Sequence, residues 1–381
     1  MTLVLSALLL IWALAQGLTL VGTFIGLRSF KKVPPHLDAP FRLYPVTILK
    51  PLKGVDSGVG SNLRSFFELE YPEFEILFSI ADERDPVRFL VEDLIHSYPK
   101  VNARLIVGEV VVGPNPKVNN LIRSYESAQY DLVMISDSNT RVAPDYLRRM
   151  VAQMDNNVGI ITAAVVGFNS ENLGGRLEAN FLNTFYARWM HLAASVDRTC
   201  VVGKSMLFRR SVAKRFGGIR ELARYLAEDY MAGIAMKRLG LRVIVATDPI
   251  YQHIGKYSFK QFWDRHLRWG RIRKSQAPLP FLFEPLFTGA TLSGLVGALA
   301  FWGLFGVSPL LFLSIHFGLW FFYDVIQTLL LEGTLDHRMP VVWALREALS
   351  FPLWFHSMIG NTVQWRGKKY TLLPGGLLES L

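Results

Sequence analysis

An α/β domain carried between membrane helices is the fold this sequence predicts, and three observations predict it. Of its 381 residues 51% are hydrophobic and 19% charged, with a mean hydropathy of +0.25, too apolar for an ordinary soluble domain. Charge is also unevenly placed, nearly absent from the two ends and mixed in the middle. Between Pro45 and Asp248, short β-rich runs alternate with helical patterns, as in a mixed, mostly parallel sheet with covering helices.

Residues 1–27 are expected to form a transmembrane helix. No charge occurs between Met1 and Arg28, and about 20 apolar residues of helix cross a bilayer. A cleaved signal peptide is the competing reading, but the run exceeds a usual signal core and no basic region precedes it. Arg28, Lys31 and Lys32 open a linker over 28–44 and place the domain that follows, 45–257, in the cytosol. An uncharged run from Pro285 to Tyr323 breaks at Gly306, Ser308 and Pro309, which predicts two transmembrane helices within 285–331. The segment 340–360 carries Arg346, Glu347 and His356, costly at bilayer depth unless paired, and is expected to span or to lie in the interface. Arg366, Lys368 and Lys369 favour a cytosolic tail over 361–381.

Net charge of +10 could suggest nucleic acid, but the basic residues gather beside apolar stretches, the footprint of a membrane partner. The single cysteine, Cys200, excludes an intramolecular disulfide and a cysteine-cluster metal site.

Within the middle domain, strands are expected at 46–49, 73–80, 104–107, 131–136 and 158–166. Ligands of such sheets bind beyond the carboxyl ends of the strands. Three features fall there: Lys50-Pro51-Leu52-Lys53-Gly54 after the first strand, Asp82 after the second, and Asp137 after the fourth. The first lacks the Gly-x-Gly-x-x-Gly turn of a dinucleotide-binding oxidoreductase, which excludes that class.

Asp137, in Ile135-Ser136-Asp137-Ser138-Asn139, could hold a hard divalent cation against a departing nucleotide diphosphate; the same composition also makes turns and helix caps. Asp82 carries the same ambiguity, next to an Asp85-Pro86 helix start. Asp229, in Glu228-Asp229-Tyr230 near a helix start, is either a dipole-complementing cap or a general base for an acceptor hydroxyl. Over 258–284, Arg265, Arg268, Arg271 and Lys274 recur every three residues among Trp263, Leu267 and Trp269. A basic amphipathic helix facing anionic headgroups accounts for Arg273 and Lys274; interleaved tryptophans and arginines suit a diphosphate clamp at the membrane surface.

Taken together, Asp82, Asp137, Asp229 and Arg265-His266-Leu267-Arg268-Trp269 resemble the ordered pattern of the inverting family-2 glycosyltransferases. The stretches Leu49-Lys50-Pro51-Leu52-Lys53-Gly54-Val55-Asp56, Phe66-Phe67-Glu68-Leu69, Pro116-Lys117-Val118-Asn119-Asn120-Leu121 and Ala227-Glu228-Asp229-Tyr230 look like the ceramide glucosyltransferase branch, with the bacterial hopanoid glycosyltransferases as a sister branch. The resemblance implies a nucleotide-diphospho-sugar transferase fold of the GT-A type, a UDP-sugar donor and a lipid acceptor, ceramide first, a hopanoid polyol or diacylglycerol otherwise. It implies that Asp82 contacts uracil or ribose, Asp137 the metal-diphosphate, and that Asp229 is the base. Arg265, Arg268 and Trp269 would hold the diphosphate and line the acceptor entrance. Lys117 and Asn120 join the nucleotide-sugar site, although a solvated lysine and a buried asparagine read equally well. Asn139 stands where the family often has a second aspartate, which weakens the expected dependence on Mg2+ or Mn2+. A bacterial inner membrane, or the Golgi in a eukaryote, is the implied location, with no obligate protein partner.

Two rivals are weaker. A processive polysaccharide synthase generally has Gln at Arg265 and needs more crossing helices. A non-catalytic lipid-binding protein leaves the ordered motifs without a role, and a transporter lacks the helices for a gated path.

Overall fold

The computed structural model describes residues 1–30, 43–365 and 367–380. Lys31, Lys32, Arg366 and most of the expected linker lie outside the described residues. The chain divides into two units, one of 31–169 and 193–255, the other of 1–30, 170–192 and 256–381.

The first unit is built on a seven-stranded sheet. Its strands are β1 (Val46–Leu52), β2 (Phe74–Ile80), β3 (Asn102–Val107), β4 (Leu132–Ile135), β6 (Val158–Thr162), β8 (Met206–Arg209) and β9 (Arg242–Val245), while β5 (Thr140–Arg141), β7 (Val165–Ser170) and β10 (Ile250–Gly255) form a second, smaller sheet. The order is β3-β2-β1-β4-β8-β6-β9. Every pair is parallel except those made by β8, which runs antiparallel to both β4 and β6. All seven side chains of β1 are buried, as expected of a strand covered on both faces by helices. Val118, Leu121 and Ile122 of the helix Pro116–Glu126 pack with Leu49, Leu77 and Val133 of the sheet to make its core.

Two expectations are corrected here. Lys50, Pro51 and Leu52 are not a turn after the first strand but its last residues, in register with Phe78, Ser79 and Ile80 of β2. The expected strand 158–166 is two strands, because the chain leaves the main sheet at Ala163 and Ala164 and re-enters the small one. Both alanines are fully buried, so an apolar run continues through the corner and hides it.

Two helix starts position the site. Asn115 accepts from the Lys117 and Val118 amides and Pro116 occupies the first turn, a strong start signal that puts Lys117 beside the strand ends. The helix Glu228–Arg238 carries Glu228 and Asp229 in its first turn, where carboxylates complement the helix dipole.

The second unit holds the membrane segments. Helices Thr2–Phe30 and Pro309–Glu332 are long and apolar enough to cross a bilayer. Pro278–Thr288 and Ala290–Phe305 could make a third span only as one segment bent by 73°. The sequence thus placed one helix where the chain breaks at Gly289, whose neighbour Ala290 gives its amide to Glu347 at 2.6 Å. Small residues let helices approach: a side chain at Gly297 would meet Trp12 and Phe312, and one at Gly303 would meet Leu5.

The helix Met339–Met358 carries the charges whose pairing the sequence left open. Asp324, fully buried, accepts from Trp343 Nε1 at 2.7 Å and from Arg346 at 2.9 Å, and also pairs with Arg188. Arg346 pairs with Glu347 as well, and Arg188 reaches Thr23 Oγ1 at 3.0 Å. Two cations thus meet two anions, which removes the penalty of isolated charge at depth. The chain ends in a small antiparallel sheet of β11 (Thr362–Trp365), β12 (Lys368–Leu372) and β13 (Leu378–Ser380).

Candidate active site

A buried polar cluster of the first unit lies where β4 ends and the helices Pro116–Glu126 and Glu228–Arg238 start. Lys117, 6% exposed, sits at its centre. Its ammonium lies 2.8 Å from Asp137 Oδ1 and 2.8 Å from Glu228 Oε1. A solvated lysine is therefore excluded. Burial alone would discharge the ammonium, but Asp137 and Glu228 outweigh it and keep the group charged far into alkaline solution. Glu228 is held in turn by Asn115 Nδ2 at 3.2 Å.

Asp137 has a second cation. Lys204 lies 3.0 Å from its Oδ2 and 2.6 Å from Asn139 Oδ1. Burial would raise this carboxyl, yet the two lysines prevail and hold it far below the usual range. Beneath it Lys50 donates to the Asp137 carbonyl at 2.6 Å and to Thr140 Oγ1 at 3.2 Å, which fixes the turn that presents the carboxylate.

Asp229 is placed differently. Its oxygens accept from the amides of Gly203 at 2.7 Å and Tyr230 at 2.8 Å. Burial and the adjacent Glu228 carboxylate push its pKa up, Lys117 and the two amides pull it down, and the balance is about 6. That leaves a carboxylate ionised at neutral pH but basic enough to take a proton. Gly203 joins the two halves of the cluster, because its carbonyl also lies 3.4 Å from Lys117 Nζ. A side chain there would meet Lys117 Nζ and Asp229 Oδ2.

The other expected residues are distributed as follows. Asp82 is exposed just beyond β2 and turned onto Arg84, whose amide it accepts at 3.0 Å. Asp85 rather than Asp82 starts the next helix, accepting from Val87 and from Gly54. Asn120 is buried and donates to the Leu52 and Ser79 carbonyls at 3.3 and 3.1 Å, so it pins together the ends of β1 and β2.

Arg265, Arg268 and Trp269 belong to the helix Phe259–Gln276 of the membrane unit, opened by a capping box between Ser258 and Gln261. Arg265 lies 3.0 Å from the fully buried Glu178, stacks over Trp269 and is almost wholly committed there. His266 hydrogen-bonds the other oxygen of Glu178 at 3.0 Å. Trp269 stacks on Tyr186, and Arg268 donates to the Gln364 carbonyl at 3.4 Å. Arg273 and Lys274, expected to face headgroups, also bond within the chain: Arg273, whose side chain stays 44% exposed, pairs with Glu284 through two contacts of 2.8 and 2.7 Å, and Lys274 donates to the Met358 carbonyl at 3.0 Å. Lys274 thus satisfies the end of the helix Met339–Met358, a partner invisible to periodicity.

Sequence reasoning missed Lys204, Glu178 and the pairing role of Glu228. Glu228 was discoverable as the neighbour of Asp229 in the same helical turn. Lys204 precedes β8, a strand too short to register, and Glu178 lies in a helix without polar periodicity.

Among the described residues no three His, Cys, Asp or Glu side chains converge as a metal site. Asp137 and Asn139 nonetheless direct two oxygens at one point that the Lys204 ammonium fills. That is a place built for positive charge, and it suits Mg2+ or Mn2+, which bind through one or two protein oxygens with the rest supplied by phosphate.

A mostly parallel sheet whose strand ends gather acidic and basic groups in this way defines a GT-A type glycosyltransferase. The mannosyltransferase of Pyrobaculum calidifontis, solved in complex with GDP-Man and Mn2+, shares the fold with a TM-score of 0.53 at 17% identity, over 91% of this chain and 99% of its own. The chain belongs to glycosyl transferase family 21, whose family model matches residues 10–378. It is 30% identical to ceramide glucosyltransferase 3 of Caenorhabditis elegans over 87% of this chain and 73% of the relative. It is 29% identical to the ceramide glucosyltransferase of Komagataella phaffii over 92% of this chain and 86% of the relative. The narrower resemblance read from the sequence is thus the one that matches along nearly the whole chain.

Proposed function

We propose that the protein transfers one glucose from UDP-glucose to the primary hydroxyl of ceramide, with inversion at the anomeric carbon. The carrying observation is the division of labour around Gly203: a carboxylate with a pKa near 6 on one side, and a carboxylate flanked by two ammonium groups on the other. Asp229 removes the proton from the acceptor oxygen as that oxygen attacks C1 of the sugar. The C1–O bond to UDP breaks, and the proton ends on the Asp229 carboxyl. Lys117 presents fixed positive charge where the diphosphate departs, the preorganised electrostatics that dominate such transfers, and Lys204 adds a second charge that would yield its place between Asp137 and Asn139 when a cation binds. Arg268, whose guanidinium makes one long carbonyl contact among the described residues, is the motif cation left to meet the diphosphate; Arg265 positions Trp269. Asp82 binds the uridine, and Asn120 holds the strand ends beneath it.

Asp137 and Asn139 would hold a divalent cation, which when bound would neutralise diphosphate charge. Chelation with EDTA is expected to lower turnover and added Mn2+ or Mg2+ to restore it; full activity in EDTA would assign the diphosphate to the two lysines alone. The catalytic unit faces the cytosol, a reading supported by Arg28 at the end of the first apolar helix.

Purified protein offered UDP-glucose, UDP-galactose and UDP-N-acetylglucosamine, each with ceramide, diacylglycerol and a hopanoid polyol, tests the pairing by lipid mass spectrometry. Monohexosylceramide from UDP-glucose is expected. An N-acetylhexosaminyl hopanoid as the sole product would overturn the acceptor and the sugar together.

A further inference from the structure

The membrane unit contains a cavity that the chemistry above does not use. It opens to solvent and is lined by both aromatic and polar side chains. Its walls come from the helix bearing the Arg-Trp motif, from Pro278–Thr288, from Met339–Met358 and from the segment around Phe181 and Phe185. We infer that this cavity is the pocket for the interfacial end of the acceptor lipid, holding its non-reacting hydroxyl and amide groups and the first part of one acyl chain; the identity of that lipid rests on the function proposed above.

Three features carry the inference. The charges on the wall cancel: Arg273 is paired with Glu284 and Arg346 with Glu347, so the cavity has no surplus cation for a diphosphate. Its free polar capacity is of the opposite kind. The hydroxyls of Thr288, Ser350 and Ser357 each donate to a backbone carbonyl of their own helix at 2.8, 2.7 and 2.8 Å, which leaves their oxygen lone pairs to accept from hydroxyl and amide donors. Phe181, Phe262 and Trp354 supply apolar surface in the same space, and a wall that is aromatic, hydroxylated and neutral suits an amphiphile.

The wall is also irregular where a ligand would press on it. Residues Leu182–Tyr186 form one turn of π-helix between two α-helices, and such turns cost hydrogen-bond geometry and recur at functional sites. This one sets Phe185 into the cavity and Tyr186 against Trp269. His266 lines the cavity as well, two residues before Arg268 on the same helix. A lipid seated here therefore touches the helix that carries the Arg-Trp motif.

The test uses the full chain in detergent with a ceramide bearing a diazirine in its acyl chain, irradiated and mapped by mass spectrometry. Adducts within 281–288 and 350–357, suppressed by excess unlabelled ceramide, are expected. Adducts confined to outward residues such as Leu310 and Ile315, which are 76% and 56% exposed, would overturn the pocket. Ser350→Phe should raise the KM for ceramide about tenfold with the KM for UDP-glucose unchanged; an unchanged ceramide KM would also overturn it. Because the wild-type adduct map needs no variant, a misfolded substitution leaves the test intact. Competed adducts in the cavity without any glucosylated ceramide would sink the acceptor proposal and keep the pocket, while product with adducts elsewhere would do the reverse.

Discussion

Asp229→Asn is expected to lower turnover by about a thousandfold, within the range that general-base catalysis supplies, while UDP-glucose binding changes little. The substitution keeps the shape of the side chain but leaves one oxygen where Gly203 and Tyr230 donate to two, and it removes the carboxylate that accepts the proton. Titration calorimetry with UDP separates the two effects. The wild type should also show an acid limb. Asp229 is protonated below about pH 6 and ionised above it, so turnover should rise with pH through that value and then level. Substantial turnover in the asparagine variant, or a flat profile between pH 5 and 7, would move the base to another residue.

Lys117→Met carries the second large effect, on stability and on the same pH profile. The ammonium lies between Asp137 and Glu228 at 2.8 Å from each, and Glu228 is buried. Breaking a buried ion pair by removing one partner costs about 3–5 kcal/mol, because the other charge is left uncompensated. A fall in thermal midpoint of roughly 10 °C is expected for a domain of this size. Lys117 also pulls the Asp229 pKa down. Without it the carboxyl becomes harder to ionise, so the acid limb of any residual activity should move to higher pH. A variant as stable as the wild type with an unmoved limb would mean that Lys117 is peripheral to the cluster.

What the sequence disclosed follows its physical signals. The strands β1, β2 and β4 were legible as buried runs and β3 by its apolar end, Leu105 to Val107, and Asp82 and Asp137 were legible as the polar residues that end two of them. β8 to β10 were not: β8 and β9 have four residues each, as β4 does, but no acidic residue directly follows either to mark its end. The missed strand β8 cost the most, because the turn before it delivers Gly203 and Lys204. Charge pairing over long sequence distance was equally hidden. Arg265 reads as a phosphate ligand until Glu178 is seen beside it, and Arg346 reads as a misfit in a membrane segment until Asp324 is placed opposite. In both cases one partner of a buried pair was visible and the other lay far away in the chain.

The proposed reaction is a single direct displacement at the anomeric carbon with Asp229 as base. Proton NMR of the lipid product formed from UDP-α-glucose tests it most directly, through the coupling of the anomeric proton. One glucose per lipid in β-linkage is the predicted result. An α-linked product, or a chain of several sugars, would contradict it.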